Sequence, residues 1–116
     1  MLPVLVVDLG FSSAKWLYKG KRGRIPSAFK RFGKECILGE EALVKVGGSY
    51  LKTPEELIRM YPAFVEKCME AAGVSEECQL AVGLPYSYWE QQQNIPGGAI
   101  DALEKSLSLV PNVGMV

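Results

Sequence analysis

The sequence predicts an α/β domain whose mixed sheet starts as a β-meander and continues through helix–strand crossovers. Short strand-like segments separated by glycine-containing turns occupy the beginning of the chain. A strongly capped helical segment follows, and another apolar strand-like segment comes directly after it. With 116 residues, of which 48% are hydrophobic and 22% charged, the chain has the size and composition of a single domain.

The first strand-like segment, Leu2–Val7, is apolar throughout and rich in β-branched residues. Apolar residues on both faces of a strand indicate a central strand that is covered from both sides. Gly10 interrupts this pattern, and Ala14–Tyr18 resumes it. We therefore expect two antiparallel strands joined by a hairpin turn.

A second glycine-containing turn, Lys19 to Gly23, leads into the strand-like segment Arg24–Phe29 and completes a β-meander. Pro26 has no backbone N–H to donate, so we expect it at a sheet edge or a strand end. The next segment, residues 34–50, is expected to form an insertion-like excursion from the main sheet. It contains a short helical candidate, Gly39 to Val46, which is followed by two glycines.

The strongest local signal is a helix start at Thr53. A threonine cap, a proline at the first helical position and Glu56 three residues after the cap together satisfy exposed amide groups. Apolar residues then recur at helical spacing as far as Gly73, which offers a stop. Pro62 lies inside this pattern and is expected to kink the helix or divide it in two.

The part of the chain after this helix predicts a further crossover. Gln79–Pro85 has the apolar pattern of a buried strand. We expect a short helix over Ser87–Gln93 and another over Ala99–Lys105, separated by a proline–glycine break. The last predicted strand is Leu107–Val110.

Composition excludes several kinds of site. The chain has no histidine, which rules out Ser-His and Cys-His triads and histidine-ligated zinc within it. Cys36, Cys68 and Cys78 form no Cys-x-x-Cys pair, so reduced thiols in a cytoplasmic protein are expected. Thirteen basic and thirteen acidic residues cancel, so neither direct nucleic-acid binding nor membrane binding is expected. Leu2–Val7 is too short to span a membrane.

The first hairpin carries the residue types that bind phosphate. Gly10 lets the main chain approach an anion, and the hydroxyls of Ser12 and Ser13 and the ammonium group of Lys15 can contact phosphate oxygens. Asp8, at the end of the first strand, is a candidate to position Mg²⁺ through water. The alternative is that these residues only form a tight, solvated hairpin.

Three segments together resemble a known family. They are Asp8-x-Gly10-x-x-x-x-Lys15, then Ile25-Pro26-Ser27, and then Ala81-Val82-Gly83-Leu84-Pro85-Tyr86-Ser87-Tyr88-Trp89. Their order is similar to that in the amino-terminal subdomain of ParM/StbA-type bacterial actin-like ATPases, and the resemblance covers nearly the whole chain. It implies that residues 1–116 form one RNase H-like lobe.

The resemblance also implies a site and a role. The phosphates of ATP or GTP are expected at the first hairpin, with Mg²⁺ near Asp8, and the implied phosphate-binding residues are Gly10, Phe11, Ser12, Ser13 and Lys15. Phe11 stands where the family often has a small residue, so its ring is expected to point away from the phosphates. No catalytic residue is assigned. The implied role is polymerisation into filaments that segregate plasmids, with a DNA-binding adaptor as a further partner.

We expect a second lobe from outside these residues to supply another phosphate hairpin and the adenosine pocket. Alone, the chain is expected to bind Mg–ATP weakly and to show no turnover. The main alternative is a non-catalytic assembly or adaptor module with the same fold. Minor alternatives are a sugar- or acetate-kinase-like lobe and an RNase H-like nuclease. The nuclease is disfavoured because Gly83-Leu84-Pro85 offers no acidic residue at the later strand end.

Overall fold

The computed structural model describes residues 2–32, 35–44, 48–84, 90 and 98–115. Strands fill most of the first part of the chain, and helices alternate with strands in the second. The strands are β1 Val4–Leu9, β2 Ser13–Tyr18, β3 Lys21–Pro26, β4 Ala28–Phe32, β5 Glu35–Leu38, β6 Ser49–Tyr50, β7 Cys78–Gly83 and β8 Val113–Met115. The helices are α1 Glu40–Leu43, α2 Pro54–Ala72 and α3 Ala99–Ser108.

The main sheet has five strands in the order β3–β2–β1–β7–β8. β1, β2 and β3 are antiparallel neighbours, whereas β7 is parallel to both β1 and β8. The predicted α/β class, with a mixed sheet that starts as a meander, is confirmed. Pro26 is the last residue of the edge strand β3, where its missing N–H costs no ladder hydrogen bond.

A small second sheet has the order β5–β4–β6. The described residues of the predicted excursion 34–50, which are 35–44 and 48–50, lie in this part of the fold, although the second sheet already begins at Ala28. The helical candidate Gly39–Val46 is shorter than predicted, because the structure has only the four residues of α1 in helix and Val44 as its C-cap. Residues 45–47 lie outside the described part of the chain.

The turn between β2 and β3 is tighter than the predicted Lys19–Gly23. It consists of Lys19 and Gly20, with φ angles of 48° and 77°, the left-handed geometry that suits a two-residue hairpin. Gly23 lies within β3, where a Cβ would come within 2.6 Å of the Trp16 indole. The absence of a side chain at Gly23 therefore makes room for the tryptophan ring.

Helix α2 covers one face of the main sheet and contacts β1, β2, β3 and α3. Inward-facing Leu5, Val7 and Leu9 of β1 belong to one core cluster with buried residues of α2 and α3. The opposite side of the sheet is named the open face here. Its residues on the first three strands and β7 are Val4, Val6, Asp8, Lys15, Leu17, Arg22, Arg24 and Ala81.

The expectation that the first strand is covered on both faces is wrong for the described structure. Val4 and Val6 are 45% and 39% exposed, whereas Leu5 and Val7 between them are fully buried. The sequence pattern indicates two apolar faces, but α2 and α3 pack into the core on only one of them. The strand also runs two residues later than predicted, from Val4 to Leu9.

The predicted ends of α2 are confirmed. The Thr53 hydroxyl oxygen accepts a hydrogen bond from the Glu56 N–H at 3.1 Å, and Gly73 ends the helix in the left-handed conformation. The Glu56 carboxylate accepts a hydrogen bond from the Lys52 N–H at 2.7 Å. Pro62 does not divide the helix, since buried Tyr61 and other apolar residues on both sides of the proline hold it against the sheet.

The predicted strand Leu107–Val110 is wrong. α3 continues to Ser108, and both Leu107 and Val110 are buried at helical spacing from Leu103, so packing against the core extends the helix. The last strand, β8, comes later in the chain. Most of the predicted helix Ser87–Gln93 lies outside the described residues. Within the described ranges, no helix combines the length and apolar character needed to cross a membrane.

Candidate functional site

The first hairpin brings the predicted phosphate-binding residues to the carboxyl end of β1. Asp8 and Lys15 lie within the strands rather than in the turn, directly opposite each other in the β1–β2 ladder. The Gly10 N–H donates a 3.0 Å hydrogen bond to the Ser13 carbonyl oxygen, which leaves Phe11 and Ser12 at the tip. A Cβ on Gly10 would meet the same oxygen at 3.4 Å, so the turn is closely packed.

Ser27 braces this turn from the end of the next hairpin. Its hydroxyl donates to the Gly10 carbonyl oxygen at 2.5 Å, and its N–H donates to the Ser12 carbonyl oxygen at 3.0 Å. The Ser27 carbonyl oxygen in turn accepts from the Leu51 N–H at 2.8 Å. Ser27 is fully buried, and these bonds satisfy its polar groups inside the protein. The sequence motif Ile25-Pro26-Ser27 contained this residue, but its bracing role depends on a contact distant in sequence.

Several donors at the hairpin tip are available to a ligand. Within the described part of the chain, the N–H groups of Phe11 and Ser12 and the hydroxyls of Ser12 and Ser13 make no hydrogen bond. Ser12 is exposed, Ser13 is largely buried, and the Phe11 ring is 38% exposed. Gly10 differs, because its own N–H and carbonyl oxygen are both used inside the protein. The donors for an anion are therefore those of the tip residues.

The Asp8 carboxylate points toward β7. A Cβ on Gly83 would lie 3.0 Å from Asp8 Oδ1, so the carboxylate lies close to the backbone of its register partner. Among the described residues, Asp8 and Lys15 form no ion pair, although they face each other in the ladder. Both side chains are exposed on the open face. The end of β1 and the start of β2 thus present one carboxylate and one ammonium group to a ligand, beside the end of β7.

Tyr61 of α2 joins the two parallel strands below Asp8. Its hydroxyl lies 3.0 Å from the Val7 carbonyl oxygen and 2.7 Å from the Gly83 carbonyl oxygen, the two acceptors for its single proton. The same oxygen accepts hydrogen bonds from the Leu9 N–H at 3.3 Å and the Gly83 N–H at 3.2 Å. The residues on both sides of Asp8 are therefore held by one side chain.

Sequence reasoning placed Tyr61 only in the apolar stripe of the helix and did not identify this role. The available signal was chemical: a buried tyrosine hydroxyl needs a hydrogen-bond partner, and the sheet beneath the helix supplies it. Burial raises the pKa of Tyr61 far above the usual tyrosine range, although hydrogen bonds from the Leu9 and Gly83 backbone oppose this shift. Tyr61 is therefore neutral near pH 7 and acts through hydrogen bonding.

A shallow depression of about 750 Å³ on the open face adjoins the hairpin. Its lining includes Asp8, Lys15, Arg22 and Arg24 together with apolar surface from Val6. Three cationic side chains and one carboxylate give this surface a local excess of positive charge. The arrangement suits an anionic ligand that approaches from the open face.

The residues present fit Mg²⁺ only in combination with a nucleotide. In the described part of the chain, no group of three or more cysteine, aspartate or glutamate side chains is placed to hold a metal ion. Mg²⁺ commonly keeps several waters and is bound by one or two carboxylates plus substrate phosphates. Asp8 supplies one carboxylate of that kind, so it suits a metal delivered with a phosphate ligand.

The cysteines contribute no second reactive centre to this site. Cys68 and Cys78 are buried free thiols, and burial raises the pKa of the Cys68 thiol to about 12.

Residues 85–89, the last part of the segment that carries the family resemblance, lie outside the described residues. Comparison of the sequence with protein-family models gives no match, and comparison with curated proteins gives none either.

Proposed function

We propose that this chain is the nucleotide-binding lobe of a ParM/StbA-like actin-like ATPase that polymerises for plasmid segregation. In this proposal the first hairpin binds the phosphates of ATP or GTP, and a second lobe completes the site. Self-association into filaments and a DNA-binding adaptor belong to the same proposal, as does a cytoplasmic location. The protein is an ATPase only when the second lobe is present.

The sheet topology supports an RNase H-like lobe. Three antiparallel strands come first, and a long helix then crosses to β7, which is parallel to β1. This is the meander–helix–strand order expected from the family resemblance. It places the hairpin tip and the end of β7 at the same edge of the sheet, where ligands bind in many open α/β folds.

The arrangement at the first hairpin carries the proposal. Asp8 and Lys15 face each other without pairing among the described residues, and free donors lie at the tip beside them. A lysine beside backbone N–H groups and hydroxyls is suited to phosphate oxygens. Asp8 would hold Mg²⁺, which supplies positive charge to the phosphates when bound.

Weak binding is expected from the chain alone. The Gly10 N–H is consumed by Ser13, so the hairpin offers fewer main-chain donors than the sequence pattern indicates. One face of the ligand would also stay in water without the second lobe, and a partly enclosed phosphate gains little over its hydrated state. Phosphoryl transfer relies on positioning from all sides, so no turnover is expected.

Calorimetric titration of the 116-residue chain with Mg–ATP and Mg–GTP tests the proposal. We expect saturable binding with a Kd of about 0.1–1 mM and no phosphate release. Lys15→Ala should weaken binding about tenfold, because it removes the ammonium group beside the hairpin. The matched control is Lys21→Ala, because Lys21 is an exposed lysine of the next strand whose ladder partner Tyr18 is on the core side.

Two comparisons of nucleotide affinity are decisive: the Lys21→Ala control and the Mg²⁺ dependence of Asp8→Asn. Lys21→Ala should bind like the wild type, and equal losses in both lysine variants would contradict a specific site. Asp8→Asn should reduce the dependence of nucleotide affinity on Mg²⁺ without weakening metal-free binding, because it removes a carboxylate beside the phosphates. Absence of saturable nucleotide binding would instead favour the second candidate, a non-catalytic assembly or adaptor module. The exposed apolar residues of the open face favour that candidate.

A further inference from the structure

The open face of the main sheet exposes apolar side chains at the sheet centre. Leu17, Val6 and Ala81 stand side by side on three adjacent strands, and Val4 follows along β1. Val4, Val6 and Leu17 are 45%, 39% and 47% exposed. Central strands that are apolar on both faces are normally covered on both. This contiguous group therefore has the character of an interface rather than of scattered surface residues.

Basic side chains border the apolar group on its β2–β3 side. Arg22 lies directly opposite Leu17 in the ladder, and Arg24 lies opposite Lys15. All three of these basic side chains are exposed. An occupant lying over Val4 and Val6 would therefore meet apolar surface on β1 and positive charge on β3, which selects a partner with an acidic flank on the β3 side.

The spacing of the arginines favours a helix as the occupant. Two residues along a strand span about 7 Å, and four residues along an α-helix rise about 6 Å. Acidic residues four positions apart on a helix that runs along the strands would thus lie over Arg22 and Arg24. Apolar residues on the adjacent helical stripe would then cover Val6 and Leu17.

We propose that the open face binds an amphipathic helix of a partner protein, with an acidic flank over β3 and an apolar stripe over β1. The recognition is that of a helix laid across an apolar surface, with the charged border setting its direction and position. A single helix buries a small interface, so weak, reversible binding is expected. This proposal does not rest on nucleotide binding.

The test is an NMR titration of the ¹⁵N-labelled 116-residue chain with a synthetic helix. The probe is a blocked peptide of about 18 residues, long enough to form helix, with leucine at i, i+3, i+4 and i+7 and glutamates four apart on one flank. We expect saturable shifts in the amides of β1, β2 and β3. A matched peptide with lysine in place of glutamate should bind at least about tenfold more weakly.

Two charge-reversal variants localise the binding. Arg24→Glu should weaken binding of the acidic peptide at least about tenfold and improve binding of the basic peptide. Lys21→Glu makes the same change of charge on the same strand, but its ladder partner Tyr18 is buried on the core side, so it should leave both affinities unchanged. Circular dichroism of each variant establishes that the fold is retained.

Specific results would overturn the proposal. These are no saturable shifts with the acidic peptide, equal affinity for both peptides, or equal effects of Arg24→Glu and Lys21→Glu. Sedimentation of the chain without peptide tests another occupant. A dimer that Val6→Asp dissociates would show that a second copy of the chain covers the face, and the proposed helix would be rejected.

Discussion

Tyr61 shows how one side chain organises the candidate site without touching its ligand. The hydroxyl links Val7, Leu9 and Gly83, which flank or face Asp8. Each of these backbone groups would otherwise be buried without that partner, and such groups are costly to leave unpaired. Tyr61 is a positioning residue, because it holds the strand ends from which Asp8 projects.

Tyr61→Phe should lower the free energy of unfolding by about 1–3 kcal/mol, since the variant keeps the ring but leaves buried backbone groups unpaired. Urea denaturation at pH 7 measures the change. Tyr50→Phe is the control, because Tyr50 is 45% exposed and no comparable loss is expected. Equal stability of wild type and Tyr61→Phe would show that the hydrogen bonds of the Tyr61 hydroxyl make no net contribution to the free energy of unfolding.

The difference in unfolding free energy between the wild type and Tyr61→Phe should depend on pH. Burial raises the pKa of Tyr61 in the folded state above the unfolded value of about 10. The folded protein then retains this proton when the unfolded chain has lost it, so the contribution of Tyr61 to stability falls as pH rises above about 10. The difference in unfolding free energy between wild type and Tyr61→Phe should narrow there, and a widening difference would contradict the assignment.

Helix α2, which packs against β1, β2 and β3, is the element that local sequence describes best. Its cap, first-turn proline and terminal glycine all act within a few residues of the helix ends. Because those interactions are local, the sequence pattern locates the helix at both ends. Leu107–Val110 shows the opposite case, since a short apolar run fits strand and helix alike until the core selects one.

Thr53→Ala should destabilise the protein by about 1 kcal/mol, because the Glu56 N–H loses its side-chain acceptor at the start of α2. Thr53→Ser keeps a hydroxyl at the same position and should remain within about 0.5 kcal/mol of the wild type. Urea denaturation of the two variants provides the comparison. A similar loss in both would indicate that the methyl group, rather than the hydroxyl, stabilises the helix start.

In the molecule as a whole, the described helices cover one face of the main sheet more than the other. The described helices α2 and α3 share one core with the inward side chains of β1, while the outward side chains of β1 are partly exposed. The candidate phosphate site and the proposed helix-binding surface both lie on the less covered side. The two overlap where Lys15 and Arg24 face each other in the ladder and line the same depression.

Substitution of the adjacent residues Val6 and Val7 compares the burial of the two faces through the loss of unfolding free energy. Val7→Ala should cost about 2–3 kcal/mol, because Val7 is fully buried and its truncation leaves a cavity. Val6→Ala removes the same atoms from the same strand on the open face and should cost less than about 1 kcal/mol. Denaturation in the absence of any partner makes the comparison, and equal costs would mean that the open face is covered in the isolated chain.

Much of the fold follows from the order of residues. The two hairpins of the meander, the cap and stop of α2 and the strand after it were predictable because each depends on neighbours in sequence. The types of residue at the candidate site, Asp8, Ser12 and Lys15, were also evident. Their chemistry belongs to the side chains themselves and needs no knowledge of distant contacts.

Tertiary contacts determined the rest. Ser27 reaches the first hairpin and Tyr61 the seam between β1 and β7 only because segments distant in sequence pack together. The sequence also does not show which face of β1 is covered by helices, because an apolar residue is the same in the sequence whether it packs against a helix or faces water. Which face is buried depends on where α2 and α3 lie, and that is a property of packing in three dimensions.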